Sequence, residues 1–228
     1  AEDGIRDFCL SRGLGDVYKR QIRGCKVLTE YTEIHRPQFH FTSKRKWIND
    51  PNGLVYFNGV WHLFFQHNTE ANTWGPMWWG HAVSSDLLHW EQKDHALHPD
   101  KMGSMFSGSA VVDHNNTSGL GENAIILFYT AANRDDSEAS YTQCMAYSLD
   151  NGVSWEKYAH NPVVKTMVGE DRDPRVVWHA KTQQWIMALY LTEDKFCLLR
   201  SFDAKSWEKF QDIPVSYTHL TLPTKRIV

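Results

Sequence analysis

One script runs three times through the middle of this sequence, and a repeat of that kind restricts the fold more tightly than any single motif. The first copy has an apolar run at 61–66, a second run at 81–86, then Trp90-Glu91 and a later Pro99. The second has runs at 125–130 and 144–150, then Trp155-Glu156 and Pro162. The third has runs at 185–190 and 197–203, then Trp207-Glu208 and Pro214. Each second run ends in Ser-x-Asp, and three or four residues separate that Asp from the Trp.

Trp90, Trp155 and Trp207 stand 65 and 52 residues apart, a period that suits a four-stranded propeller blade. The repeated residues have structural work to do. Ser and Asp side chains bond turn amides between two strands, and the Trp face packs between neighbouring blades. Gly, Asn and Asp cluster in the connections, and no stretch carries persuasive helical periodicity. The fold class expected is all-β. Ten Trp, nine Tyr and eleven Phe fit strand packing, and some of these rings also suit stacking on sugar.

Each blade needs an innermost strand ahead of the script, and the candidates are residues 52–57, 109–112 and 174–178. Inner strands surround the propeller axis, so the residues that open them converge at one mouth of the channel. Asp50-Pro51, Phe106-Ser107-Gly108-Ser109 and Arg172-Asp173-Pro174 occupy those openings. The two Asp-Pro pairs lie 123 residues apart at matching blade positions. Proline after each Asp predicts an extended backbone there, which fixes where the carboxylate points.

Trp47-Ile48-Asn49-Asp50-Pro51-Asn52-Gly53 resembles the signature of the β-fructofuranosidases, the invertases, levanases and inulinases of glycoside hydrolase family 32. Residues 36–41, 62–66, 79–82, 106–109 and 172–174 match the family's pattern in order, so the resemblance runs from about residue 34 to 214. Ile48 stands where the family usually has Met. The resemblance implies a five-bladed β-propeller of four-stranded blades, of which about three are present here. It also implies a retaining mechanism, with Asp50 as nucleophile and Asp173 as the stabiliser of the transition state. Asn49, Asn52, Gln66, Trp74, Phe106, Ser107 and Arg172 are the implied substrate-binding set. The partner implied is a fructose-containing oligo- or polysaccharide, with no cofactor and no metal. Export to the periplasm or medium is a family inference only, and the oligomeric state is not legible.

The residue types agree with that chemistry. Glycoside cleavage through an oxocarbenium-like state needs one ionised carboxylate at the anomeric carbon and one carboxylic acid for the leaving oxygen. Arg172 beside Asp173 is expected to keep that Asp charged. The family's acid is a Glu in a Glu-Cys motif opening the next inner strand, past Pro214, where this sequence has no Glu. The chain on its own is therefore expected to be inactive. Two other enzyme readings are weighed. Ser148 to Trp155 fits the Ser-x-Asp-x-Gly-x-x-Trp turn of sialidases, and arabinanase-type hydrolases are also five-bladed propellers. A third reading is a non-catalytic carbohydrate-binding propeller.

Net charge is −3 with no Lys/Arg block, which leaves nucleic acid unsupported as a partner, and no apolar run reaches the ~18 residues of a membrane span. Cys9, Cys25, Cys144 and Cys197 show no metal-type spacing and read as buried or incidental thiols. Residues 1–21 and 215–228 share neither the aromatic content nor the periodicity of the middle. They resemble translated adapter sequence and are expected to be non-native. That leaves 22–214 as the partial propeller.

Overall fold

The structure, a computed structural model, describes residues 31, 33–37, 39–134 and 140–214. Cys9, Cys25 and both suspected non-native ends lie outside the described residues. The chain divides into two compact units, residues 1–44 and 45–228. In the first, Arg36 is an organising side chain. Its guanidinium donates to the Glu33 carboxylate, to Thr42 Oγ1 at 2.6 Å and to the Ser43 carbonyl at 2.8 Å.

The second unit contains three antiparallel sheets of four strands each, paired in chain order. The first sheet is β1 (Trp47–Phe57), β2 (Val60–Asn68), β3 (Trp78–Ser84) and β4 (Glu91–Gln92). The second is β5 (Ser104–Asp113), β6 (Ala124–Asn133), β7 (Ser140–Ser148) and β8 (Glu156–Lys157). The third is β9 (Arg172–His179), β10 (Gln184–Thr192), β11 (Lys195–Ser201) and β12 (Glu208–Pro214). No helix occurs among the described residues. All three expected inner strands are present, as β1, β5 and β9.

The repeated script explains the corner between the third and fourth strand of each blade. The Ser is the last residue of β3, β7 and β11, and the Asp lies just beyond it in the turn. Ser84, Ser148 and Ser201 each donate to the Asp two residues on, at 3.0, 2.7 and 2.9 Å. That Asp accepts the following amides, Leu88 and His89, Val153 and Ser154, or Lys205 and Ser206. The Ser154 hydroxyl and amide hold the Asp150 carboxyl down to about 2. The Glu that follows each Trp opens the fourth strand and faces solvent.

Two of the three Trp residues, Trp155 and Trp207, close the seams between blades. Trp155 meets Phe64 edge-on at 5.2 Å, joining the second blade to the first. Trp207 meets Phe128 edge-on at 5.8 Å, joining the third to the second. Alternation along β6 sends Leu127 and Tyr129 into the first seam, with Phe64, Trp79, Met105, Cys144 and Ala146. Ile126 and Phe128 enter the other, with Met145, Val176, Met187, Leu189 and Leu199. Burial pushes the Cys144 thiol up to about 12 and the Cys197 thiol up to about 11, which suits inert core positions.

Two glycines mark close approaches, Gly53 between the inner strands β1 and β5 and Gly108 between β5 and β6 within the second blade. A β-carbon on Gly53 would come within 2.8 Å of the Ala110 β-carbon, and one on Gly108 within 1.9 Å of the Phe128 carbonyl oxygen. The second contact is with backbone and cannot be relieved by a rotamer change. Gly108→Ala is expected to destabilise the chain by about 1–3 kcal/mol, the usual cost of overpacking. A lowered urea midpoint checks this, and an unchanged midpoint would mean that Gly108 does not lie as close to the β6 backbone as described.

Candidate active site

Every inner strand breaks register at its opening. On β1, Ile48 pairs with His67 and Pro51 with Phe65, so Asn49 and Asp50 together oppose Gln66 alone. On β5, Phe106 pairs with Thr130 and Gly108 with Tyr129, which leaves Ser107 as the extra residue. On β9, Arg172 pairs with Tyr190 and Arg175 with Ala188, so Asp173 and Pro174 oppose Leu189. An extra residue bends the strand and re-aims its side chain out of the sheet's regular alternation. The residues re-aimed are Asp50, Ser107 and Asp173.

The Ser107 hydroxyl donates to Asp50 Oδ2 at 2.7 Å, bridging the first and second blades. Asp173 is near enough for the negative charge of Asp50 to raise its carboxyl pKa. Arg172 is less committed to Asp173 than the sequence suggests. Its guanidinium lies 4.4 Å over the Tyr190 ring, donates to the Glu170 carbonyl at 3.0 Å, and stands 3.8 Å from Asp173 Oδ2. Arg172 favours the charged form of Asp173, as expected, but does not set the net direction. Burial pushes the Asp173 carboxyl above the usual carboxylate value, Arg172 pulls it down, Asp50 pushes it up, and the net direction is upward.

The backbone at Asp173 also departs from expectation. Its φ is +62°, in the left-handed region, where the following proline predicts an extended residue. Asp tolerates that region better than most residues, and the bulge supplies the need for it. The Asp173 amide donates to Thr130 Oγ1 at 3.0 Å, so a buried hydroxyl of the second blade holds the unusual turn.

The other expected site residues fall into three groups. Trp74 is half-exposed and meets Phe106 edge-on at 6.2 Å, so the two rings form an aromatic wall with Tyr141, 5.6 Å from Phe106. Asn49 is exposed and its Oδ1 accepts from Trp47 Nε1 at 2.8 Å, while Arg172 is partly buried. Gln66 and Asn52 are different, because both are buried, at 2% and 1% exposure. Gln66 Nε2 donates to the Met105 carbonyl at 2.9 Å, tying the first blade to the start of β5. Neither amide atom of Asn52 has a hydrogen-bond partner among the described residues.

Sequence reasoning missed several residues near these groups. Arg134 lies with its guanidinium 5.1 Å from the Trp74 ring, and Tyr141 backs Phe106. Thr130, Gln143 and Asp171 are wholly buried beneath Asp173. Asp171 adjoins the Arg-Asp-Pro motif and was open to notice. The others belong to no motif in a single sequence. Among the described residues, no group of three or more His, Cys, Asp or Glu is placed to hold a metal ion.

Residues 40–221 match the "Glycosyl hydrolases family 32 N-terminal domain". Levanase of Bacillus subtilis is 47% identical over 181 residues, covering 78% of this chain and 26% of the levanase. The extracellular exo-inulinase of Aspergillus awamori is 38% identical over 213 residues, covering 82% of this chain and 40% of the inulinase. The crystal structure of the A. awamori exo-inulinase superposes with a TM-score of 0.75, covering 81% of this chain and 41% of that one. A fructofuranosidase from Schwanniomyces occidentalis complexed with fructose superposes with a TM-score of 0.76 at 40% identity, covering 82% and 38%. The chain thus spans between a quarter and two-fifths of these relatives' lengths. They do not favour the sialidase-like, arabinanase-like or non-catalytic readings. By the extent of the domain match and the identity of these relatives, this chain belongs to glycosyl hydrolase family 32.

Proposed function

We propose that the whole protein is a retaining β-fructofuranosidase that releases fructose from sucrose, levan or inulin. The observation that carries this reading is the meeting of Asp50 and Asp173 at the bulged openings of two inner strands, with Ser107 holding one of them. Relatives named levanase, exo-inulinase and invertase support the substrate class.

Asp50 attacks the anomeric carbon of the fructosyl unit while a carboxylic acid gives its proton to the departing oxygen. The product of that step is a covalent fructosyl-enzyme ester. A water molecule, deprotonated by the same acid group, then breaks the ester and frees fructose and the Asp50 carboxylate. Ser107 donates to the Asp50 oxygen it faces, which orients the other oxygen for attack. Asp173, held close by, bonds ring hydroxyls and stabilises positive charge as it develops on the ring. Trp74 and Phe106 offer apolar faces to the sugar. The proton donor is assigned by family resemblance to a Glu opening a fourth inner strand.

The decisive test is fructose release by the whole protein from sucrose, levan and inulin. Asp50→Asn is expected to lower kcat by at least a factor on the order of 10⁴, as loss of a nucleophile does elsewhere. Activity retained in that variant would remove Asp50 from its role.

A titration tests the electrostatics separately. The Asp173 carboxyl pKa is raised in the folded chain, so the folded state holds that proton more tightly than the unfolded chain does. Above pH 3.8 this raises the stability cost, which is complete once pH passes the folded pKa. Asp50→Asn removes one raising influence. The Asp173 pKa, followed by carboxyl carbon NMR, is therefore expected to fall in that variant. An unchanged value would show that the two carboxylates do not interact.

A further inference from the structure

Beneath Asp173 runs a polar chain that the proposed chemistry does not yet use. Asp173 N–H donates to Thr130 Oγ1 at 3.0 Å, and Thr130 Oγ1 donates to Gln143 Oε1 at 2.7 Å. Gln143 Nε2 donates to the Asp171 carbonyl at 2.9 Å and lies 3.3 Å from Asp171 Oδ2. Asp171 Oδ1 in turn accepts from Thr166 Oγ1 at 3.1 Å, Met167 N at 3.0 Å and Val168 N at 3.1 Å. Thr130, Gln143 and Asp171 all have 0% exposure.

The direction of every bond in this chain is fixed. The Asp171 carbonyl only accepts, so the Gln143 NH₂ group must face it and Oε1 must face Thr130. The Thr130 hydroxyl proton is then committed to Gln143, and an oxygen lone pair remains for the Asp173 amide. No member can rotate without orphaning a buried polar group, which is costly. Only the Asp173 carboxyl emerges at the site.

We infer that Thr130 and Gln143 are positioning residues that hold Asp173 in its left-handed conformation and so aim its carboxyl at the substrate. The inference deepens the proposed function and rests on it. The φ of +62° at Asp173 needs an outside restraint, because an L-residue other than glycine is disfavoured there. The restraint comes from the neighbouring blade through the Asp173 amide. A second tie lies one step along. Ser109 Oγ donates to the Pro174 carbonyl at 2.8 Å and accepts from Val176 N at 2.9 Å, fixing the strand just after the turn.

The test uses the whole protein and three variants. Thr130→Val keeps the shape and removes the acceptor. It is expected to lower kcat by about 10- to 100-fold, the scale of a small misplacement at a reacting centre, with KM changed less than about threefold. Thr130→Ser retains the hydroxyl and is expected to restore kcat to near wild type. A Thr130→Val protein with normal kcat, or a Thr130→Ser protein as impaired as Thr130→Val, would overturn the inference. Should Thr130→Val fail to fold, Thr130→Cys replaces it, because sulfur is a weak acceptor of similar size. Asp173→Asn is the control. If it keeps full activity the proposed role of Asp173 falls, and the positioning inference with it. If it is inactive while Thr130→Val is normal, only the positioning inference falls.

Discussion

Strand β5 is wedged between β1 and β9, and the geometry of the site depends on that wedge. On one side, the Ala110 backbone leaves room for no side chain at Gly53, and Ser107 bonds Asp50. On the other, Ser109 bonds the backbone on both sides of Arg175. Ser107 and Ser109 lie two residues apart, yet the bulge at Ser107 lets one hydroxyl reach the first blade and the other the third. Strand β5 thereby holds the Asp50 carboxylate and the backbone just after Asp173, while Thr130 of β6 holds the Asp173 amide.

The cost of that arrangement is concentrated where the chemistry is. Each opening gives up regular pairing, Asp173 takes a disfavoured backbone angle, and two carboxylates are kept within each other's field. None of this stabilises a fold. It is sustained by seams on both faces of the second blade, where nearly every residue of β6 is buried. The raised carboxyl at Asp173 has the same origin, since burial outweighs the pull of an Arg172 whose guanidinium rests on Tyr190.

Most of the fold was legible because it repeats. Ser-x-Asp followed by Trp-Glu marks a corner through local hydrogen bonds and one large ring, and both leave a trace in residue order. The strand faces were legible for a similar reason, as in the alternation of Leu127 and Tyr129 against Ile126 and Phe128. The bulges were not. A bulge adds one residue to a strand whose partner lies elsewhere in the chain, and nothing at Ser107 or Asp173 marks it locally. Reading Asp173 as extended followed from Pro174 alone and failed because the Thr130 hydroxyl, 43 residues away, holds its amide. Asn52 and Gln66 sit within recognisable motifs, but burial between blades is a property of the packed sheets.

The three blades are not equivalent, and the difference bears on where the site can be precise. Along β10 buried and partly exposed residues alternate strictly, whereas β6 is buried on both faces. Leu54 and Tyr56 on β1 and Val177 on β9 are about half-exposed. The inner strand of each flanking blade therefore packs one face toward the second blade and turns a half-exposed apolar face away from it. Asp50 and Asp173 are both restrained through groups on the packed side, by Ser107 in one case and Thr130 in the other. Their relative position is thus set within the three blades, by contacts that do not involve the outward faces.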